Sequence, residues 1–215
     1  GSQIAYDLID KNYKVFVIDD LSTGNKNLIP KKAKFFQCDI ANISQVSKIL
    51  RKNDINHIIH CAAFISVEES IHKPKKYNKN NFLKTKKFIN LCIKENIKNF
   101  IFSSTAAVYK ENDKKKVKEN SIKKPNNPYG KTKLKCENFF LKKRNIRLFI
   151  LRYFNVAGAD DKLRTGPIID YKTSHLIKKI VQIYFKKKEI FKIFGREYPT
   201  PDGTAIRDYI YIKDL

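Results

Sequence analysis

Short apolar runs alternate with longer amphipathic segments along most of the chain. The apolar runs are rich in β-branched and aromatic residues, as in the buried strands of a parallel sheet, and lie at residues 14–19, 33–40, 57–63, 99–104 and 146–155. Apolar positions at helical spacing predict helices at residues 3–11, 43–53, 80–95, 128–143 and 174–187. Strands that alternate with helices in this way indicate an α/β fold built on a doubly wound parallel sheet.

In a doubly wound sheet the ligand lies beyond the carboxyl ends of the strands, so those ends hold the candidate site. The first apolar run ends in Asp19 and Asp20. An acidic side chain here can bind adenosine ribose hydroxyls and repel a 2′-phosphate, which favours NAD over NADP. Asp-Asp before Ser-Thr-Gly is also ordinary turn chemistry, so these residues alone leave both interpretations open.

Gly1 is followed at once by a predicted helix and then by a strand that ends in Asp. This order fits the last glycine of a G-x-x-G-x-x-G dinucleotide-binding motif, whose backbone N–H groups bind a pyrophosphate. The chain begins without Met and ends where a strand runs into a turn, so both ends look cut. We expect a piece of a longer protein, with the first strand and first two glycines missing and with weak NAD binding of its own.

Other strand ends offer further candidates. Asp39 follows the second apolar run, where adenine could be contacted, and the small Ala62 near the end of the third would let a cofactor approach the backbone. Ser103, Ser104 and Thr105 end the fourth run. Hydroxyls that leave a buried strand need a partner or a ligand, although a turn cap would also satisfy them.

Tyr129 and Lys133 lie in the predicted helix 128–143. Residues i and i+4 of a helix share a face. An ammonium beside a phenol should lower the pKa of the phenol from about 10 towards neutrality, which would make the tyrosine a usable general acid or base.

The Tyr-x-x-x-Lys spacing can also arise by chance, because 11 tyrosines in so lysine-rich a chain give about two such matches at random. The sequence has two more such pairs, Tyr184/Lys188 at the end of a helix and Tyr209/Lys213 in a predicted strand. Only Tyr129 begins a helix shortly after a strand that ends in Ser-Ser-Thr. We therefore take Tyr129/Lys133 as the candidate catalytic pair.

The charge of the chain suggests a nucleic-acid partner, but the kind of cation argues against one. The net charge is +24, yet only seven of the 45 basic residues are Arg, the side chain better suited to bidentate phosphate and base recognition. The lysines are also spread along the whole chain. We favour a solvated basic surface over a nucleic-acid-binding module, and such a surface could still attract acidic small substrates.

The remaining composition points to an ordinary intracellular domain. The four cysteines are far apart and form neither a C-x-x-C pattern nor a disulfide framework, and no metal site is predicted. No apolar run approaches the roughly 20 residues that cross a bilayer, and no signal-peptide pattern is visible. We expect a cytoplasmic protein with no membrane partner.

Six segments together resemble a known family: VIDDLSTG (17–24), HCAAFISVEES (60–70), FSSTAAVY (102–109), PYGKTKLKCE (128–137), LRYFNVAGAD (151–160) and IFGREYPTPDGTAIRDYIYIKDL (193–215). They are similar to the extended short-chain dehydrogenase/reductase superfamily and, within it, to the UDP-glucose (UDP-galactose) 4-epimerases. The long form of the last segment looks like that of a hexose 4-epimerase. The related 4,6-dehydratases usually have Asp-Glu where this chain has Ala106-Ala107.

The resemblance implies roles for individual residues. Tyr129 would be the acid/base at the sugar 4-hydroxyl, with Thr105 hydrogen-bonding the same oxygen and Lys133 holding the nicotinamide ribose. The remaining NAD site would be lined by Gly1, Asp19, Asp39, Ala62, Asn81, Ser103 and Tyr153. UDP would be held by Asn155, His175, Leu176, Phe194 and Arg207, with Arg207 pairing the diphosphate.

The implied reaction removes hydride from sugar C4 to tightly bound NAD and returns it to the other face, which interconverts UDP-glucose and UDP-galactose. Residues 1–155 would form the NAD-binding Rossmann-like domain, and residues 156–215 would begin a nucleotide-sugar-binding region. A homodimer is what the family suggests. The alternative is another extended dehydrogenase acting on a nucleotide sugar: an N-acetylhexosamine or pentose 4-epimerase, a decarboxylase or a dehydratase.

Overall fold

The computed structural model of the chain describes residues 1–111, 116–168, 175–186, 190, 191, 193 and 195–215. They form two compact units, one of Gly1 and Gln3–Tyr153 and one of Ser2 and Phe154–Leu215.

In chain order the helices are α1 Ser2–Asp10, α2 Ile43–Lys52, α3 Val67–His72, α4 Pro74–Tyr77, α5 Thr85–Lys94, α6 Pro128–Phe140 and α7 Leu176–Lys186. A π-helical segment, Asn78–Lys84, joins α4 to α5. The strands are β1 Phe16–Asp19, β2 Lys34–Gln37, β3 His57–His60, β4 Asn99–Ser103, β5 Arg147–Leu151, β6 Asn155–Ala157 and β7 Tyr209–Tyr211.

The predicted α/β fold with parallel strands is confirmed. In the first unit β1 pairs with β2, and β4 lies between β3 and β5 in a separate three-stranded sheet. Every pairing is parallel, with Phe102 of β4 level with His60 on one side and Ile150 on the other. The carboxyl ends of β3, β4 and β5 therefore meet at one edge, which is where the sequence places its candidate residues.

Two element predictions need correction. The predicted strand 146–155 is interrupted, because β5 ends at Leu151 and pairs with β4, whereas β6 starts at Asn155 and pairs with β7 in the second unit. The predicted helix 80–95 starts too late. A helical path begins at Pro74, which occupies the first turn of α4, and continues through the π-helical segment into α5.

The core of the first unit lies between the three-stranded sheet and helices α2, α5 and α6. Phe100 and Phe102 alternate with partly exposed neighbours along β4, so both point to the same buried face. The ring of Phe140, from the last turn of α6, packs edge-on against Phe102 with centroids 4.9 Å apart. This aromatic contact fixes the C-terminal end of α6 on β4.

All four cysteines are free thiols, and Cys38, Cys92 and Cys136 are buried in or beside this core. Within the described ranges, none of the helices is both long enough and apolar enough to span a lipid bilayer.

Candidate active site

Helix α6 presents the two predicted catalytic side chains from its first two turns. The side chain of Asn127 caps the helix by accepting the N–H of Gly130 at 2.8 Å, and Pro128 occupies the first helical position. Tyr129 and Lys133 then follow one turn apart. The local sequence therefore fixes both where the helix starts and which face carries the pair.

The hydroxyl of Tyr129 is hydrogen-bonded to that of Thr105, which lies two residues after the end of β4. The Thr105 oxygen accepts the N–H of Ala107 at 3.1 Å, so its own proton is available for the Tyr129 oxygen, to which it is hydrogen-bonded. Burial raises the pKa of Tyr129 to about 12, and the Thr105 hydrogen bond only partly opposes this rise. The phenol is therefore protonated at neutral pH in the chain alone.

Lys133 is buried and turns to the backbone of β4 instead of to Tyr129. Its Nζ donates to the carbonyl oxygen of Ser103 at 2.7 Å and lies 4.9 Å from the centroid of the Phe102 ring. Burial lowers the pKa of Lys133 to about 8. The expectation that this ammonium lowers the pKa of Tyr129 is wrong for this structure, because desolvation of the phenol dominates.

Ser103 and Tyr153 lie beside this group. Their hydroxyls are hydrogen-bonded to each other, and the carbonyl of Tyr153 accepts the N–H of Ala106 at 3.0 Å. The end of β4 and the residues after β5 are thereby held together. The structure thus brings Ser103, Thr105, Tyr129, Lys133 and Tyr153 into one group at the carboxyl end of β4.

Two predicted NAD-binding residues lie near the start of the chain: Gly1 immediately precedes α1, and Asp19 is the last residue of β1. Asp19 accepts the N–H of Leu21 at 2.7 Å, and a Cβ added at Gly24 would come within 2.8 Å of its Oδ1 atom. Gly1 caps α1 without a side-chain hydrogen bond, and nothing lies within 4 Å of where its Cβ would be. The glycines leave both the Asp19 carboxylate and the N-terminus of α1 open to a ligand.

Asp39 and Asn81 are engaged with the protein itself. Asp39 accepts the N–H of Ala41 at 2.8 Å and forms an ion pair with Lys84 at 2.6 Å. Asn81, in the π-helical segment, accepts the N–H of Phe64 and donates to its carbonyl, both at 2.9 Å. Asn81 thereby fixes the loop after β3.

That loop also contains the predicted cofactor residue Ala62, which is exposed. Its small side chain leaves the backbone near the end of β3 accessible to a ligand.

The predicted UDP-binding residues fall in the second unit. Asn155 donates to the carbonyl of Asp208 at 2.9 Å, one residue from Arg207, so β6 and the segment before β7 are adjacent. Arg207 is exposed, and its guanidinium donates a hydrogen bond to the carbonyl of Ile206. His175 and Leu176 are exposed at the start of α7. Phe194 lies outside the described residues, as does Lys188 of the second tyrosine–lysine pair.

Sequence reasoning missed three residues that support the site. Ser70 is fully buried and accepts the backbone N–H of Tyr129 at 3.2 Å. Buried Glu137 and half-buried Arg152 form an ion pair behind Ser104. Glu137 stands four residues after Lys133, on the same face of α6, and this spacing is the feature that could have revealed it.

The contact between α6 and the turn after β4 leaves no room for a side chain at Gly130. A Cβ there would lie 2.4 Å from the carbonyl oxygen of Ala107 and 3.0 Å from Cβ of Pro125. We expect Gly130→Ala to lower the free energy of unfolding by about 1–3 kcal/mol in urea titrations, because backbone must move to admit the methyl group. Lys131→Ala, exposed on the same turn, is the control. An equal effect of both substitutions would refute the close packing.

Comparison with known proteins agrees with this geometry. The sequence model of the NAD dependent epimerase/dehydratase family matches residues 1–215. The UDP-glucose 4-epimerases of Azospirillum brasilense and Lactobacillus helveticus are each 38% identical over 218 residues, and all of this chain aligns with 62% and 66% of their lengths. The chain thus spans slightly less than two thirds of these relatives.

A solved structure shares the fold as well. The UDP-glucose 4-epimerase of Brucella ovis, crystallised with NAD, is 33% identical and superposes with a TM-score of 0.93 over all of this chain and 66% of its own. A family match over the whole length, a shared fold and a tyrosine–lysine pair beside Thr105 point the same way. The chain belongs to the NAD dependent epimerase/dehydratase family.

Proposed function

We propose that the full-length protein is a UDP-hexose 4-epimerase that interconverts UDP-glucose and UDP-galactose with tightly bound NAD. The observation that supports this most is the hydrogen bond between Thr105 and Tyr129, with buried Lys133 one helical turn away. This arrangement would allow an acid/base and a hydrogen-bond donor to act on one oxygen of a substrate. The relatives at 38% identity are UDP-glucose 4-epimerases.

The residues at the strand ends fit NAD. The open N-terminus of α1 after Gly1 suits a pyrophosphate, and the Asp19 carboxylate suits adenosine ribose hydroxyls but repels a 2′-phosphate. In this proposal Ala62 and Asp39 line the adenosine side, and Ser103, Tyr153 and Lys133 line the nicotinamide ribose side. Asn81 acts through the loop after β3, because its amide is occupied by Phe64. NAD, when bound, would supply a hydride acceptor and a positive charge.

The chain's own residues handle the proton. Tyr129 takes the proton of the sugar 4-hydroxyl and later returns it, while Thr105 donates to the same oxygen and holds it in place. A positive charge close to the phenol would reverse part of the burial-driven rise in the pKa of Tyr129. Lys133, one helical turn from Tyr129, is buried, so its charge is poorly screened.

We assign UDP binding to the second unit, through Asn155, His175, Leu176, Phe194 and Arg207. Arg207 is exposed and makes no side-chain ion pair among the described residues. Its planar guanidinium can therefore pair a diphosphate. A cytoplasmic location, suggested by four free thiols, and a homodimer, suggested by the family, complete the proposal.

Incubation with UDP-galactose tests this function. The full-length protein with NAD should give UDP-glucose as the sole new sugar in proton NMR spectra, with no net change in NADH absorbance. UDP-N-acetylgalactosamine and a UDP-pentose, tested side by side, show which sugar pair is preferred. Release of carbon dioxide, or accumulation of a dehydrated 4-keto sugar, would show a decarboxylase or a dehydratase instead.

A further inference from the structure

Helix α6 contains a third polar side chain on the face that presents Tyr129 and Lys133. Glu137 lies one turn beyond Lys133 and is 0% exposed. A carboxylate removed from water is costly unless it is paired and hydrogen-bonded. Arg152, just after β5, supplies that pairing with Nε at 3.0 and 3.1 Å from the two carboxylate oxygens and Nη2 at 2.7 Å.

The same carboxylate accepts the hydroxyl of Ser104, itself 1% exposed. Ser104 stands between the two residues that meet the catalytic pair. On one side, the carbonyl of Ser103 accepts a hydrogen bond from Lys133 Nζ. On the other, the Thr105 hydroxyl bonds the Tyr129 phenol. Three consecutive residues, the last of β4 and the two that follow it, are therefore each joined to α6 by one hydrogen bond.

Arg152 extends these connections to the next segment of chain. Its Nη1 donates to the hydroxyl of Tyr109 at 2.9 Å and to the carbonyl of Glu119 at 3.1 Å. The ion pair thus joins α6, the end of β4 and the turn after Thr105. An apolar pair of the same volume would pack without desolvation cost but would not fix the hydroxyl of Ser104.

We propose that Glu137, oriented by Arg152, is a positioning residue. It holds Ser104 and thereby sets Thr105 at hydrogen-bonding distance from the phenol of Tyr129. Its effect on catalysis rests on the proposed function, but its effect on Tyr129 does not. No group of the ion pair needs to touch substrate or cofactor.

Ser104→Ala is the sharpest variant, because it removes one hydroxyl and leaves the ion pair intact. The chain offers a matched control in Ser47, whose hydroxyl donates to Glu95 at 2.8 Å while Arg51 pairs the same carboxylate at 2.6 Å. Ser47→Ala therefore removes the same kind of hydrogen bond away from Tyr129. Glu137→Gln is a second variant that keeps an acceptor for Ser104 and removes the charge.

The Tyr129 phenol is observed directly by ¹³Cζ-tyrosine NMR of the full-length protein, with the resonance assigned by its loss in Tyr129→Phe. We expect Ser104→Ala to move this resonance and raise its titration midpoint, because Thr105 no longer stabilises the phenolate. Ser47→Ala should leave both unchanged. An unmoved Tyr129 resonance in Ser104→Ala, in a variant shown by circular dichroism to be folded, overturns the proposal.

Kinetics separate this proposal from the proposed function. With UDP-galactose we expect Ser104→Ala to lower kcat about tenfold with KM unchanged, because misplacing an acid/base affects the transition state more than binding. Glu137→Gln should retain more activity than Glu137→Ala. If the wild type lacks epimerase activity but the Tyr129 resonance moves only in Ser104→Ala, the positioning role stands and the function fails. A normal kcat in Ser104→Ala would refute the positioning role alone.

Discussion

Replacing Tyr129 with phenylalanine is expected to slow conversion of UDP-galactose by the full-length protein about 10³-fold, within the range usual for loss of a general acid or base. The substitution removes only the oxygen that would take the proton of the sugar 4-hydroxyl. The ring keeps its packing, and Thr105 can still bond water or substrate. KM should change little, because UDP binding is assigned to residues of the second unit.

The other tyrosine–lysine pairs provide matched controls. Tyr184→Phe alters a ring that is 74% exposed on α7, and Tyr209→Phe alters one in β7, a three-residue strand that ends before Lys213, so neither pair has the helical setting of Tyr129 and Lys133 among the described residues. Both variants should keep kcat within about twofold of the wild type. A rate that survives Tyr129→Phe, or falls equally in the controls, would remove Tyr129 from its assigned role.

Lys133→Met should abolish most activity and yet stabilise the fold at pH 7. Burial lowers the pKa of Lys133 from 10.5 to about 8, so the folded state binds this proton less tightly than the unfolded state. Below pH 8 the buried charge therefore costs about 3 kcal/mol. The hydrogen bond to Ser103 that methionine cannot make is worth about 1 kcal/mol, which leaves a net gain of about 2 kcal/mol.

The pH dependence follows from the same linkage. Because the unfolded state holds more protons between pH 8 and 10.5, the wild type gains stability as pH rises through this window, and Lys133→Met does not. The stability difference between the two proteins should change by about 3 kcal/mol across this window, so the variant, about 2 kcal/mol more stable below it, becomes about 1 kcal/mol less stable above it.

The titratable groups around Lys133 are His60 and Cys61 from the β3 side and Cys136 and Glu137 on α6. Burial lowers the pKa of His60 to about 3 and raises that of Cys136 to about 12, so neither group titrates at neutral pH.

Urea titrations at pH 7 and pH 10 measure this difference, with Lys131→Met, exposed on the same helix, as the control. A Lys133→Met variant that is less stable than the wild type at pH 7 would show that the ammonium stabilises the fold. Equal pH dependence of the two proteins would show that Lys133 does not titrate in this window.

Much of the fold and the site follows from local sequence. Period and composition locate β1 to β5, α1, α2 and α6, and the Pro128 start of α6 places Tyr129 and Lys133 one turn apart. The end of β4 places Thr105 opposite Tyr129. These features depend on neighbours in the chain, which a sequence shows directly.

What the sequence does not show depends on tertiary partners. The pKa of Tyr129 rises because the folded chain buries the phenol and Lys133 bonds Ser103 instead. The break between β5 and β6 arises because β6 pairs with β7, more than 50 residues away in the chain. The same holds for Glu137, whose contact with Ser104 crosses from helix to strand.

The most direct test of the proposed chemistry follows the hydrogen at sugar C4. UDP-galactose with deuterium at C4 is incubated with the full-length protein and NAD in ordinary water, and the product is examined by proton and deuterium NMR. The proposed function predicts UDP-glucose that retains deuterium at C4, because the hydrogen leaves and returns within one closed site. Loss of the label to solvent, or no UDP-glucose at all, would contradict it.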